Sequence, residues 1–122
     1  MRAIKFRGYA ISDGSLAFGD LVRINNVAYI CSDEPDINIV AVKPEFVEQF
    51  SGLCDSEGTD IFEGDVLVRA SEFTSFDAAH YVVIFDQDEG GWIIEPDDRF
   101  SYSDALNSDN ADKFVVVGHY RR

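Results

Sequence analysis

The sequence is short of cations, cysteine, histidine and long apolar runs, and each shortage excludes something. Ten Lys and Arg stand against 23 Asp and Glu, a formal net charge of −13. Nucleic-acid backbones bind proteins that supply positive charge, so direct nucleic-acid binding is not expected. The cations that exist gather near the two ends, as Arg2, Lys5 and Arg7 and as Arg121 and Arg122. Cys31 and Cys54 form no C-x-x-C pair, and His80 and His119 are isolated. Structural zinc sites need four closely grouped ligands, so no metal is expected, and the cysteines read as reduced, packed thiols of a reducing compartment. No stretch approaches the ~20 apolar residues that span a bilayer. Residues 1–7 lack the apolar segment of a signal peptide. Together these predict a cytoplasmic location and no membrane contact. The G-x-x-x-x-G-K phosphate loop is absent, and no cofactor is implied.

What is present favours a packed β protein. Hydrophobic residues make up 46% of the 122 and aromatics 13%, too apolar for a disordered chain and enough for a core without staples. Ile4 and Phe6 alternate with Lys5 and Arg7, a period of two that marks a half-buried strand. Leu16–Ile24 reads as a strand with a bend at Gly19-Asp20. Asn25-Asn26 reads as a tight hairpin turn, because Asn tolerates a left-handed backbone. Residues 27–30 return as its partner, and 37–42 are apolar and β-branched, hence strand. After Pro44 the pattern fits either a short helical turn or an extended passage. Residues 66–68, 81–85, 92–94 and 114–117 read as further strands. Residues 70–79 read as a loop pinned by Phe73 and Phe76, and 102–106 as a short helix. Frequent turns between short strands predict a mainly β fold with little helix.

Gly19-Asp20-Leu21-Val22-Arg23 is echoed by Gly64-Asp65-Val66-Leu67-Val68-Arg69. Two copies fall short of a repeat architecture, and turns leading into strands account for both.

The run Gln49-Phe50-Ser51-Gly52-Leu53-Cys54-Asp55-Ser56-Glu57-Gly58-Thr59-Asp60-Ile61-Phe62-Glu63-Gly64-Asp65-Val66 resembles the signature of the YopX family: an aromatic, Ser or Thr, Gly-Leu, an Asp-containing Gly turn, then Ile-aromatic-Glu-Gly-Asp. The opening Arg2-Ala3-Ile4-Lys5-Phe6-Arg7 and the closing Val115-Val116-Val117-Gly118 are also similar to the family pattern. His119 stands where the family often has Asn. The resemblance implies a protein of phage or prophage origin. It also implies an SH3-like barrel in the C-terminal part, residues 49–122, beside a strand-rich N-terminal lobe, residues 1–48, and a homo-oligomer. It carries over no catalytic residue. The residues themselves give the motif a structural role: Gly52, Gly58 and Gly64 for turns and close approach, Leu53, Ile61 and Phe62 for buried surface, and Asp55, Glu63 and Asp65 for the turns between them.

No constellation specifies a reaction. Two cysteines and two histidines offer a thiol–imidazole pair only by chance. Asp86-Gln87-Asp88-Glu89-Gly90-Gly91 with Asp97 matches part of a calcium loop, with Gly91 at the sixth position, but Gly90 stands at the fifth and Asp97 replaces the final Glu. A solvated hairpin turn explains the segment. The expectation is therefore a non-enzymatic accessory protein acting by contact with a protein partner the sequence does not name. Asp86, Asp88, Glu89, Trp92, Asp97, Asp98 and Tyr102 are its candidate contact surface. Two other readings stand beside it: an acidic decoy that occupies a nucleic-acid-binding protein of the host, and a metal-dependent hydrolase built on carboxylates.

Overall fold

The computed structural model describes residues 5–32, 36–88, 90–97 and 103–119. They form eleven β-strands and three short 3-10 turns, all paired strands running antiparallel, with no α-helix among the described residues. The chain divides into two compact units, Met1–Phe50 and Ser51–Arg122.

In the first unit, β1 (Phe6–Tyr9), β2 (Leu16–Ile24), β3 (Val27–Ser32) and β4 (Asn38–Val42) pair in the spatial order β4-β3-β2-β1, with the start of β5 (Glu48–Cys54) beside β1. Asn25 and Asn26 both sit at positive φ, 50° and 69°, as a two-residue type I′ turn requires. β2 has the predicted bounds. Gly19 in its middle has φ 154°, and a Cβ there would lie 2.2 Å from the Cys31 carbonyl oxygen. Only glycine lets β3 approach this closely. The sheet curls until Ala10, just past β1, bridges Val42. The Ile11 N–H donates to the Ala41 carbonyl at 2.9 Å and the Lys43 N–H to the Tyr9 carbonyl at 3.0 Å. Inside the curl, Ala28, Ile30 and Val42 are buried, with Phe6, Ala17, Leu21, Val40 and Val47 packed on them. After Pro44 the chain does both things the sequence allowed: a 3-10 turn over Pro44–Phe46, then β5.

In the second unit, β6 (Asp60–Phe62) pairs with the end of β5. β7 (Asp65–Arg69), β8 (Tyr81–Asp86), β9 (Gly91–Pro96), β10 (Asp104–Ala105) and β11 (Phe114–His119) form a sheet in the order β10-β9-β8-β7-β11. Its core joins Ile61, Leu67, Val83, Ile94, Leu106, Ala111 and Phe114. Neither sheet is closed, so the SH3-like barrel expected of this part is not seen. A physical reason lies at the outer edge of β11, where a barrel would need another strand. That edge is occupied by the turn before β6. The Ser56 N–H donates to the Phe114 carbonyl at 2.9 Å, and the Val116 N–H donates to Asp55 Oδ2 at 2.9 Å.

Three local expectations are corrected. Asp104 and Ala105 pair with Ile94 and Ile93 as strand β10 rather than forming a helix; the segment is too short to nucleate one, and its extended path buries Leu106. Phe73 and Phe76 do not pin the loop that follows β7, because Phe76 is fully exposed and Phe73 is 57% exposed. The hydrogen bonds of that loop are local, from the Ser75 N–H to the Glu72 carbonyl and from the Ser75 hydroxyl to Asp77. The Gly-Asp echo has no common geometry either. Asp20 is exposed within β2, whereas Asp65 is buried at the start of β7, where its Oδ2 accepts the Phe62 N–H at 2.8 Å.

Candidate functional site

Of the sequence-predicted contact residues, the four that the structure describes lie at opposite ends of the β8–β9 pair. Asp86 and Asp88 lie at the β8–β9 hairpin, where Asp86 Oδ1 accepts the Asp88 N–H at 3.0 Å and the Asp86 carbonyl accepts the Gly90 N–H at 2.8 Å. Trp92 is close by, but it is half-buried against the core and meets Phe85 edge-on at 5.1 Å. Asp97 sits past the far end of β9, its N–H donating to the His80 carbonyl. About 16 Å of strand separates the two ends at ~3.3 Å per residue. Glu89, Asp98 and Tyr102 lie outside the described residues.

The central motif is built into the second unit. Ile61 and Phe62 are buried, Leu53 packs on the core, and Gly64 donates its N–H to the Val83 carbonyl at 2.8 Å. Glu63 is half-buried beside it. Gly52, Gly58 and Gly64 adopt positive φ of 85°, 82° and 86°. Asp55 is 5% exposed and its carboxylate accepts three backbone N–H groups, from Glu57, Thr59 and Val116. These contacts fold the turn.

The reactive side chains are scattered. Cys54 is exposed rather than packed, and its thiol donates to Asp60 Oδ1 at 3.4 Å; Cys31 is half-buried, and neither cysteine forms a disulfide. His80 is exposed, with Nδ1 3.1 Å from the Ala78 carbonyl. No group of three or more His, Cys, Asp or Glu that could hold a metal occurs among the described residues. The described members of the N-terminal basic cluster have partners: Arg7 Nε pairs with Glu48 Oε1 at 2.8 Å, and the Lys5 ammonium lies 4.8 Å from the centre of the Phe50 ring.

The strongest surface feature lies elsewhere, on the outer face of the first sheet. Side chains on a strand alternate faces. In β2, Ala17 and Leu21 point into the core, so Leu16, Phe18, Val22 and Ile24 share the outer face, and all four are exposed. Register carries this face across the neighbouring strands. Val22 lies opposite Tyr29, which lies opposite Ala41, and Cys31 lies opposite Ile39, itself 62% exposed. Tyr9 lies opposite Leu16. Asp20 supplies the one charge on the exposed part of β2's outer face. Ile37, just before β4, is 83% exposed.

Sequence reasoning missed this face although a signal was there. Leu16-Ala17-Phe18 and Leu21-Val22 are apolar at both parities, which ordinarily marks a strand covered on both sides. Among the described residues, no helix is long and apolar enough to cross a membrane.

The described residues define an all-antiparallel β protein of two units with a row of exposed apolar side chains on one sheet face. The chain belongs to the YopX family: the family model, described as YopX protein, matches residues 5–120. No curated protein matches the sequence.

Proposed function

We propose that this protein is a non-catalytic accessory protein, of the phage- and prophage-borne kind the sequence resemblance implies, that works by protein–protein contact and self-association. The contact surface is the outer face of the first unit's sheet. The observation that carries this reading is the exposure of Leu16, Phe18, Val22 and Ile24 together with Ile39 on one face. Exposed apolar residues scattered singly need no explanation, but a contiguous patch marks an interaction site. Burying such surface contributes about 25 cal/mol per Å². The chain carries a net charge of −13, yet of the outward positions of β2 only Asp20 is acidic, and Arg7, opposite Phe18, is neutralised by Glu48. Charge depletion at the centre of a surface patch is a property of protein interfaces.

The test is a pull-down from bacterial lysate together with light scattering, using the wild type and a Phe18→Asp/Val22→Asp variant. The wild type should retain a defined protein set, or its own copies, and the variant should lose it. Equal retention by both proteins, or none by either, would overturn the reading.

A further inference from the structure

We infer that β4 is a self-recognition strand: its open edge pairs antiparallel with β4 of a second copy about a two-fold axis at Asn38. This rests on the reading of the first sheet as a contact surface, and it names both the partner and the register.

The backbone decides which groups are on offer. The Ala41 carbonyl and the Lys43 N–H point away from β3, since they bond to Ile11 and Tyr9. Backbone groups alternate sides along a strand, so the N–H and C=O of Ile39, two residues before Ala41, also point away from β3. Beyond Ala41 the edge is taken by the chain after β1. Toward the strand's start, no other strand among the described residues pairs with β4 on that side, and β4 is the outermost in the order.

Such edges are ordinarily blunted by charge, Pro or a bulge. Here the open stretch is Ile37-Asn38-Ile39-Val40, with no charge and no Pro. Ile37 and Ile39 are the two most exposed of the large aliphatic side chains. In a chain of net charge −13 a second copy brings repulsion wherever acidic surfaces meet; Ile37 to Val40 carry no carboxylate themselves, and the acidic residues and the Pro of Asp33-Glu34-Pro35-Asp36 flank them in sequence.

The sequence of the edge is self-complementary. Antiparallel partners must share backbone orientation. With the open stretch ending before Ala41, the symmetric register sets Asn38 opposite the partner's Asn38 and Ile39 opposite the partner's Ile37. Each Ile39–Ile37 pair exchanges two backbone hydrogen bonds, four in all by symmetry. The isoleucines of both copies then lie together on the outer face, extending the apolar surface across the axis. Asp36 falls opposite the partner's Val40, not opposite its own counterpart.

The register makes a sharp prediction. The Asn38 pair is of the non-hydrogen-bonded kind, with Cα atoms about 4.5 Å apart, within the range a disulfide spans. In a Cys31→Ser/Cys54→Ser background, Asn38→Cys should therefore cross-link to a dimer under mild oxidation. Asp36→Cys in the same background should not, because two copies of it stand about 13 Å apart at ~3.3 Å per residue. Ile39→Pro removes an outward donor without touching the β3 ladder and should weaken dimerisation at least tenfold by analytical ultracentrifugation. Ile39→Lys serves the same purpose should the proline variant fail to fold. Equal cross-linking of the two cysteine variants, or none of Asn38→Cys, overturns the proposal. A chain that stays monomeric while its Phe18→Asp/Val22→Asp variant still loses a captured protein overturns the strand pairing and leaves the contact reading standing.

Discussion

Asp55 and Val116 are 61 residues apart in sequence and joined by a hydrogen bond of 2.9 Å, from the Val116 N–H to Asp55 Oδ2. The same carboxylate accepts the Glu57 and Thr59 N–H groups through Oδ1 at 2.8 and 2.9 Å. One side chain thus shapes the turn before β6 and occupies the outer edge of β11. Hydrogen bonds to a charged group contribute about 1.5–3 kcal/mol each, and a buried donor left unmet costs a similar amount.

Asp55→Ala should therefore destabilise the protein by about 2–4 kcal/mol. Asp55→Asn should cost somewhat less, because its one oxygen can still accept the Glu57 and Thr59 N–H groups; what remains of the loss is at Val116, whose N–H then faces the amide NH₂, donor against donor. Urea unfolding should show a lowered midpoint with unchanged slope. Asp88→Ala, on the exposed hairpin, should stay within about 0.5 kcal/mol of wild type. Equal effects at the two positions would refute the role given to Asp55.

Gly19 makes a second demand on the first unit. A Cβ there would meet the backbone of β3 at 2.2 Å, while one at Gly14 meets nothing within 4 Å, though both residues have positive φ. Gly14→Ala should cost roughly 1 kcal/mol, the strain alone. Gly19→Ala adds a clash that only a backbone shift relieves, and should cost on the order of 3 kcal/mol or more. Thermal melts of the two variants side by side check the difference.

The buried ion pair of β1 and β5 should respond asymmetrically. Arg7 and Glu48 have side chains 7% and 15% exposed. Glu48→Gln leaves the guanidinium without its counter-charge, and breaking such a pair typically costs about 3–5 kcal/mol. Replacing both as Arg7→Met/Glu48→Leu should recover most of that loss, because desolvation of the charges vanishes with them. A double variant no more stable than Glu48→Gln would place the energy in other contacts of these two residues.

How much of this was legible in the sequence depended on whether the signal was local. The bounds of β2 and the Asn25-Asn26 turn follow from alternation and from a left-handed backbone preference, both set within a few residues. The long-range facts were hidden. Nothing near Asp55 says that its carboxylate reaches β11, and the barrel that the family resemblance implies gives no hint of that reach. Acidity is visible in composition and marks Asp86 and Asp88. The exposed face of β2 is not visible there, because apolar residues read as core until the register shows which of them the core can hold.

Acid should weaken the turn before β2 in a defined window. Asp13 Oδ1 accepts from the Ser15 hydroxyl at 2.7 Å and from the Ser15 N–H at 3.0 Å. These bonds, the hydroxyl first, hold its carboxyl below the ordinary value of 3.8. A carboxylate with a depressed folded value contributes stability that is present above 3.8 and is lost as pH falls through the folded value. A carbon-detected NMR titration should place Asp13 below 3.8, and Ser15→Ala should move it back toward that figure. An Asp13 midpoint that Ser15→Ala leaves unmoved would refute the cause.

The outer face of β2 should tolerate charge where the inner face does not. Leu21 packs on the buried cluster of Ala28, Ile30 and Val42, whereas Val22, its neighbour, is 39% exposed on the other side. Leu21→Asp puts a carboxylate into that core and should unfold the first unit, since an unpaired buried charge is among the costliest single changes. Phe18→Asp and Val22→Asp should change stability by under about 1 kcal/mol. They should also raise solubility and reduce binding of a hydrophobic dye, because they break an exposed patch. If Val22→Asp instead unfolds the protein as Leu21→Asp does, the outer face is covered within the monomer and cannot serve as a contact surface.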